Sequence, residues 1–389
     1  MNYSFLAPQR IVFGWGRRCD VGVLGAGLGR RAILVCGSQT LVEQGVVDEI
    51  TASMRASGVA ACLLTTIRHE PEVVDVDAAV VKLAEMPMKD GDFVVGLGGG
   101  SAIDLAKAVA ALATNAGGNS VADYLEGVGR GLVIERDPLP VLAMPTTAGT
   151  GSEATKNAVI SCYEPKFKKS LRSNAMVPRV VLVDPELAVH CPRDVTVHCG
   201  MDAITQLVES YISRRAQPIP RALALQGVRL AVPALPTLLD DPQSRDGREA
   251  MAHAALLSGM ALANSGLGLA HGVAAALGVH ARVPHGLACA VMLPAALRAN
   301  RSVCETDYGE LEQAIDPNSR MGSAALADAF VERVEQLCET VGVPKTLSAL
   351  GVRREQLDDV VRSSRGNSMS GNPRDVSDDA LRELLEAML

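Results

Sequence analysis

The chain has 389 residues, of which 48% are hydrophobic, 21% charged and only 3% aromatic, with a formal net charge of −7. That balance supports a large buried core, and at about 150 residues per domain the length predicts two or three domains. The acidic charge and the scarcity of aromatic rings exclude a broad nucleic-acid footprint, an anionic-lipid surface and a base-stacking platform.

Nine cysteines are scattered along the chain with no C-x-x-C pair. A disulfide framework or a cysteine zinc cage is not expected, and a reducing cytoplasm is the expected location. The opening MNYSFLAPQR has no charged segment leading into an apolar run, so no export signal is expected.

In chain order, β-branched runs at 31–36, 59–64, 92–96, 140–144 and 179–184 predict strands. Amphipathic segments at 41–57, 73–86 and 102–115 predict helices between the first four of them. Such alternation implies an α/β domain whose parallel sheet is covered by helices and binds ligands at the carboxyl ends of its strands. Beyond Pro185 the strand signals stop, and helical patterns follow at 200–214, 221–239, 248–264, 285–300, 325–341 and 378–389. The expected organisation is an α/β domain over 1–190 and an all-helical domain over 191–389, with a cleft between them. Pro185 and Pro192 bracket the connector. Residues 250–281 carry no Asp, Glu, Lys or Arg, yet His253, Asn264, Ser265, His271 and His280 interrupt the run. A buried helix pair is expected there, not a membrane span.

Three signals carry chemistry. The first is LGGGSAIDLAKA at 97–108, which follows a predicted strand and opens a predicted helix. Gly98, Gly99 and Gly100 let the backbone approach an anion, and Ser101 is read as the helix cap, so that free N–H groups face a phosphate. Asp104 shares a helix face with Lys107 and is counted with the loop as cofactor-binding. A glycine turn with no ligand is the plainer alternative. Gly25 and Gly27 resemble a second such loop, but they precede a strand instead of following one and read as ordinary loop.

The second signal is MPTTAGTGSEAT at 144–155, where threonine hydroxyls and two glycines at a strand end suit a phosphate–ribose ligand. The third is dispersed. Asp202 and Gln206 lie four apart on one helix face, while His271 and His285 come from later helical segments. Oxygen and imidazole donors of this kind suit a divalent first-row metal, iron or zinc. Each histidine alone reads more readily as a hydrogen-bonded core residue. His69, His190, His198 and His253 are expected to be structural or solvated, whereas His280, lying between the two ligand candidates, is a candidate proton relay.

The ordered set GGGSAIDLAKA, PTTAGTGSE, VDPEL, GMDAIT followed by Glu209, AHG and PHG resembles the iron-containing (group III) alcohol dehydrogenase family over nearly the whole chain. The closing GNPRDVSDDALRELLEAML is similar to that family's C-terminal helix. The resemblance implies the dehydroquinate synthase-like fold, with a dinucleotide-binding domain followed by a helical metal and substrate domain. It also implies hydride transfer between NAD or NADP and a small alcohol or aldehyde, and a homodimer. By position, Gly98, Gly99, Gly100 and Ser101 would hold the pyrophosphate. Thr146, Thr147 and Thr150 would line the ribose and nicotinamide, and Leu187 would lie near the adenine. Asp202, His271 and His285 match three of the four usual ligands of a divalent metal, Fe2+ first and Zn2+ second, and the two histidines count as catalytic together with His280.

Three departures stand out. Gln206 replaces the usual histidine ligand, and a carboxamide oxygen is the poorer donor. Ala275 stands where many members carry a histidine that helps move the proton. Gly37 and Ser38 follow the strand at 31–36 where NAD-preferring members place an aspartate, and its loss removes repulsion with a 2′-phosphate and favours NADP. The expected mechanism is hydride transfer to a carbonyl polarised by the metal, with the proton from water, the ribose or His280. The competing readings are a maleylacetate reductase, a dehydroquinate synthase-like lyase, which would consume no reduced cofactor, and a nucleotide-binding protein that has lost its chemistry.

Overall fold

A computed structural model describes residues 2–115 and 117–389. The chain divides into two compact units. One comprises Leu6–Thr147 and Ser152–Val189, and the other is built chiefly from His190–Leu389 together with Ala148–Gly151.

The first unit runs β1 (Arg10–Phe13), α1 (Val21–Ala26), β2 (Arg31–Cys36), α2 (Gln39–Glu43), α3 (Val46–Ala56), β3 (Ala60–Thr66), α4 (Val73–Ala84), β4 (Asp92–Gly98), α5 (Gly100–Leu112), β5 (Val141–Pro145), β6 (Asn157–Tyr163), β7 (Lys166–Arg172) and β8 (Val180–Val183). Six strands form one sheet in the order β1-β8-β5-β4-β2-β3, and every neighbouring pair is parallel. The chain steps outward from β2 to β3 and returns on the other side of β2 with β4. On an open parallel sheet, such a reversal of strand order opens a crevice at the strand ends. Register sets three of those ends side by side, with Cys36 opposite Leu97 and Gly98 opposite Pro145.

The central strands are apolar throughout because helices cover both faces. Ile33 and Val35 of β2 join the layer containing Leu105 and Val109 of α5. Their neighbours Ala32, Leu34 and Cys36 join the opposite layer with Ile50 and Met54 of α3. The period-two alternation of a strand thus feeds two cores. Truncating a fully buried member such as Phe93 to alanine costs about 3–5 kcal/mol.

Four details differ from the sequence reading. β1 is a strand of four residues paired with β8, and β6 and β7 form a separate antiparallel hairpin. In β7 only Leu171 is buried, so its KFKKSLR pattern gives little strand signal. Gly25 lies inside α1, not in an open loop. The single helix expected over 41–57 is two, separated by Gly45 at φ +77°, which caps α3 in a conformation that favours glycine.

The second unit is helical: α6 (Arg193–Ile212), α7 (Pro218–Asp240), α8 (Arg245–Ser265), α9 (Leu269–Ala281), α10 (His285–Asn300), α11 (Glu305–Ile315), α12 (Ser323–Val341), α13 (Leu357–Ser363) and α14 (Asp378–Glu386). The charge-free run becomes α8 and α9, bent by 101° at the break between them. By length and composition α7 also qualifies as a membrane span, yet its Val228, Ala231, Leu235 and Leu238 are buried in this unit's core. The segment carrying Thr150 packs on the helices, for a Cβ on Gly149 would meet the Cys199 backbone and one on Gly151 the Gly259 backbone.

Candidate metal and coenzyme site

In the α/β unit, three loops meet at the reversal of strand order. Gly37 donates its N–H to the Leu97 carbonyl at 2.7 Å, and Thr146 donates to the Gly98 carbonyl at 3.0 Å. A Cβ on Gly98, whose φ is +150°, would stand 2.6 Å from the Gly37 Cα and 2.8 Å from the Ala102 Cβ. A Cβ on Gly99 would lie 3.1 Å from Thr147 Oγ1. Side chains are therefore excluded where the backbone must lie open to a ligand. Gly99, not Ser101, is the cap of α5; Gly100 and Ser101 form its first turn, and the cap makes no side-chain hydrogen bond. A pyrophosphate fits this positive, glycine-lined end.

The other sequence-predicted groups of this unit have visible partners. Ser38 caps α2 by accepting the Leu41 N–H at 3.3 Å, which leaves its hydroxyl proton free to donate. Asp104 is committed elsewhere: its carboxylate accepts from Ser152 Oγ and from the Val159 N–H at 2.9 Å, and pairs with Lys107 at 3.1 Å. Lys107 is fully buried and also donates to the Ser152 carbonyl at 2.9 Å and Thr155 Oγ1 at 3.0 Å. This pair ties α5 to the β6 hairpin, so the Asp104 carboxylate, expected at the cofactor, is occupied by partners within the chain. Leu187 packs against the apolar layer of α3. It sits in a turn held by Asp184, which accepts the N–H groups of Gly16 and Arg18, both at 2.9 Å.

In the helical unit, α6, α9 and α10 bring Asp202, His271, His285 and Cys289 together, one ligand atom of each lying within 4.8 Å of the others. His271 Nε2 is 3.2 Å from Asp202 Oδ1, His285 Nε2 is 3.9 Å from the same oxygen, and Cys289 Sγ is 3.8 Å from His285 Nε2. Asp202 and His271 are buried, and His285 is partly open. Burial alone would raise the Asp202 carboxyl, but the His271 hydrogen bond and the neighbouring His285 outweigh it and hold it below the ordinary carboxylate value. Burial works the other way on His271, yet Cys289, Asp202 and Glu209 raise it well above the ordinary imidazole value. Burial pushes the Cys289 thiol up to about 12.

Glu209 lies two turns beyond Asp202 on α6 and orients His271. Its Oε2 is 2.7 Å from His271 Nδ1, and the same carboxylate accepts the N–H groups of Gly268 at 3.0 Å and Ala270 at 2.7 Å. Fixing Nδ1 in this way leaves Nε2 for a cation, the usual second contact of a metal-bound imidazole. A divalent cation fits this chemistry, since a carboxylate, two imidazoles and a sulfur converge in a buried place where a positive charge needs partners.

Gln206 is adjacent but turned away from such a role. Its oxygen accepts from Ser258 Oγ at 2.7 Å and its Nε2 donates to Asp202 Oδ2 at 3.2 Å. The carboxylate decides that orientation, because an amide oxygen there would set lone pairs against lone pairs. His280 stands apart from the cluster, with Nε2 2.7 Å from Ser363 Oγ. Ser258 and Cys289 were missed from the sequence, and Glu209 was read only as part of a motif, with no role at the site. The seven-residue step from Asp202 and the four-residue step from His285 were the available signals.

Residues 8–185 match the model of the iron-containing alcohol dehydrogenases, and residues 196–389 match that of the Fe-containing alcohol dehydrogenase family, C-terminal. The chain belongs to the iron-containing alcohol dehydrogenase family. It is 33% identical over 393 residues to long-chain-alcohol dehydrogenase 1 of Geobacillus thermodenitrificans, covering 98% of this chain and 97% of that one. It is also 30% identical to the NAD-dependent methanol dehydrogenase of Bacillus methanolicus, over 91% of each chain. Among solved structures, 1,3-propanediol oxidoreductase superposes with a TM-score of 0.92 at 28% identity, over 100% of both chains. This dehydrogenase is thus an NAD(P)-dependent oxidoreductase of alcohols and their carbonyl partners, and its family uses a divalent metal, typically iron.

Proposed function

We propose that the enzyme reduces a small aldehyde or ketone, and oxidises the matching alcohol, with Asp202, His271 and His285 holding the metal. The convergence of their donor atoms within 4.8 Å carries this reading. In it, residues 1–190 bind the dinucleotide and residues 191–389 hold metal and substrate. Gly37, Gly98, Gly99, Gly100 and Ser101 receive the pyrophosphate and adenosine side, while Thr146, Thr147 and Thr150 offer hydroxyls to the ribose and nicotinamide. With Gly37 and Ser38 in place of a carboxylate, NADP is preferred over NAD.

When bound, the nicotinamide supplies the hydride and the cation polarises the carbonyl oxygen. The chain's own work is to hold and orient. Glu209 keeps His271 in one tautomer, and Gln206 fixes Asp202 through Nε2. Ala275 has no proton to give, and His280 is bonded to Ser363, so the proton that completes the alcohol comes from water or the coenzyme ribose. The enzyme works as a cytoplasmic homodimer.

Elemental analysis of freshly purified protein, paired with an aldehyde screen using NADH and NADPH, tests the proposal. One divalent metal per chain and faster turnover with NADPH are expected. The His271→Ala/His285→Ala double variant should fold, lose the metal and lose turnover; full activity in it would defeat the metal assignment. Binding of NADPH with no turnover across the panel would favour a protein that has lost its chemistry.

A further inference from the structure

We propose that Cys289 is the fourth protein donor of the metal centre and occupies the role that Gln206 does not fill. This rests on the assignment of Asp202, His271 and His285 above and adds a sulfur to it.

Position comes first. Cys289 follows His285 by one helical turn on α10, so both side chains project from the same face. A tetrahedral centre with bonds of about 2.0–2.3 Å sets neighbouring donors about 3.3–3.8 Å apart. The separations here, 3.2 Å for His271 to Asp202, 3.9 Å for His285 to Asp202 and 3.8 Å for Cys289 to His285, match that scale.

Gln206 is turned elsewhere. Its oxygen lies 2.7 Å from Ser258 Oγ, and the atom it turns toward Asp202 is an amide nitrogen, which has no lone pair to give. A ligand role would require turning the amide and giving up its hydrogen bond to Asp202.

Surroundings separate Cys289 from the other buried thiols. A buried cysteine ordinarily behaves as a small apolar side chain, as Cys338 does, its sulfur 3.8 Å from the Ala290 carbonyl. Cys289 instead faces a carboxylate and two imidazoles. To hold a cation, Cys289 would give up its S–H proton to solvent and offer the thiolate lone pair. Asp202 and the Cys289 thiolate then balance the two positive charges, which suits a buried position. A soft sulfur donor shifts selectivity toward zinc and away from ferrous iron.

Cobalt reports sulfur ligation directly. The metal-free full-length enzyme is titrated with Co2+ and followed in the visible and near-ultraviolet. We expect one cobalt per chain, visible d–d bands and an intense sulfur-to-cobalt charge-transfer band. Cys289→Ser, nearly the same size and checked for folding by circular dichroism, should keep d–d bands but lose the charge-transfer band. It should also bind cobalt roughly tenfold or more weakly. The proposal falls if wild type shows d–d bands without charge transfer, or if Cys289→Ser leaves charge transfer unchanged. If wild type takes up no cobalt, or His271→Ala takes it up with the same d–d bands, the three-ligand assignment itself fails and takes this one with it.

Discussion

Glu209 and His271 are joined twice: the carboxylate meets Nδ1 at 2.7 Å and also accepts the His271 backbone N–H at 3.4 Å. One side chain on α6 therefore fixes both the ring and the start of the helix that bears it. Glu209→Ala should weaken metal binding by roughly 10–100-fold and, by leaving buried donors unpaired, cost on the order of 1–3 kcal/mol of stability. Metal titration and thermal unfolding of the same samples read the two effects. A stability loss with unchanged metal affinity would limit Glu209 to capping α9.

Gln206 and Asp202 should behave very differently when replaced. Gln206→Ala removes one hydrogen bond to the carboxylate and should lower metal affinity by no more than about tenfold. Asp202→Asn removes the only carboxylate of the cluster and should abolish metal retention through gel filtration. Equal losses would mean that Gln206 binds the metal after all.

Gly98→Ala tests the coenzyme cradle without touching the metal ligands. The new methyl would press on Gly37 Cα at 2.6 Å in a backbone conformation unfavourable to alanine. NADPH binding, followed by fluorescence, should weaken roughly tenfold or more, about 1.4 kcal/mol or above, while metal content stays at the wild-type level. Wild-type coenzyme affinity in a folded Gly98→Ala protein would remove the loop from the site.

Glu153 gives the stability a pH dependence. Burial, reinforced by Asp104 and opposed by its own backbone hydrogen bond and Lys107, raises its carboxyl from 4.5 to about 7. Between those values the folded chain keeps a proton that the unfolded chain has lost, so stability falls as pH rises through this window, by about 3 kcal/mol in all. Glu153→Gln should be the more stable protein at pH 8 and gain far less at pH 5. Urea midpoints at the two pH values decide it, and an equal gain at both would place the effect elsewhere.

The legible parts of the fold were those whose physics is local. β2 and β4 announce themselves as unbroken apolar runs because both their faces are covered, and α10 begins where His285 follows a proline. β1 and β7 were hidden, one too short and the other too polar to show a period, and without β7 the apolar run of β6 had no visible hairpin partner. That hidden hairpin also concealed part of the Asp104 surroundings: its charge was visible, its partner Val159 was not. Asp202, His271 and His285 could be picked out by residue type and order. Cys289 could not, since a cysteine in an apolar helix looks like packing. His280 shows how little nearness in sequence says about nearness along a helix. It is near His271 in sequence, but nine residues of helix carry it roughly 13 Å along the axis.

The short stretch Ala148–Gly151 belongs with the helices although Thr147 and Ser152 on either side belong with the sheet. A fragment ending at Val189 would keep every strand of the sheet yet carry a four-residue tab whose slot, lined by Cys199 and Gly259, had been cut away. Dissecting this enzyme for separate expression would therefore require replacing that tab as well as choosing a cut point.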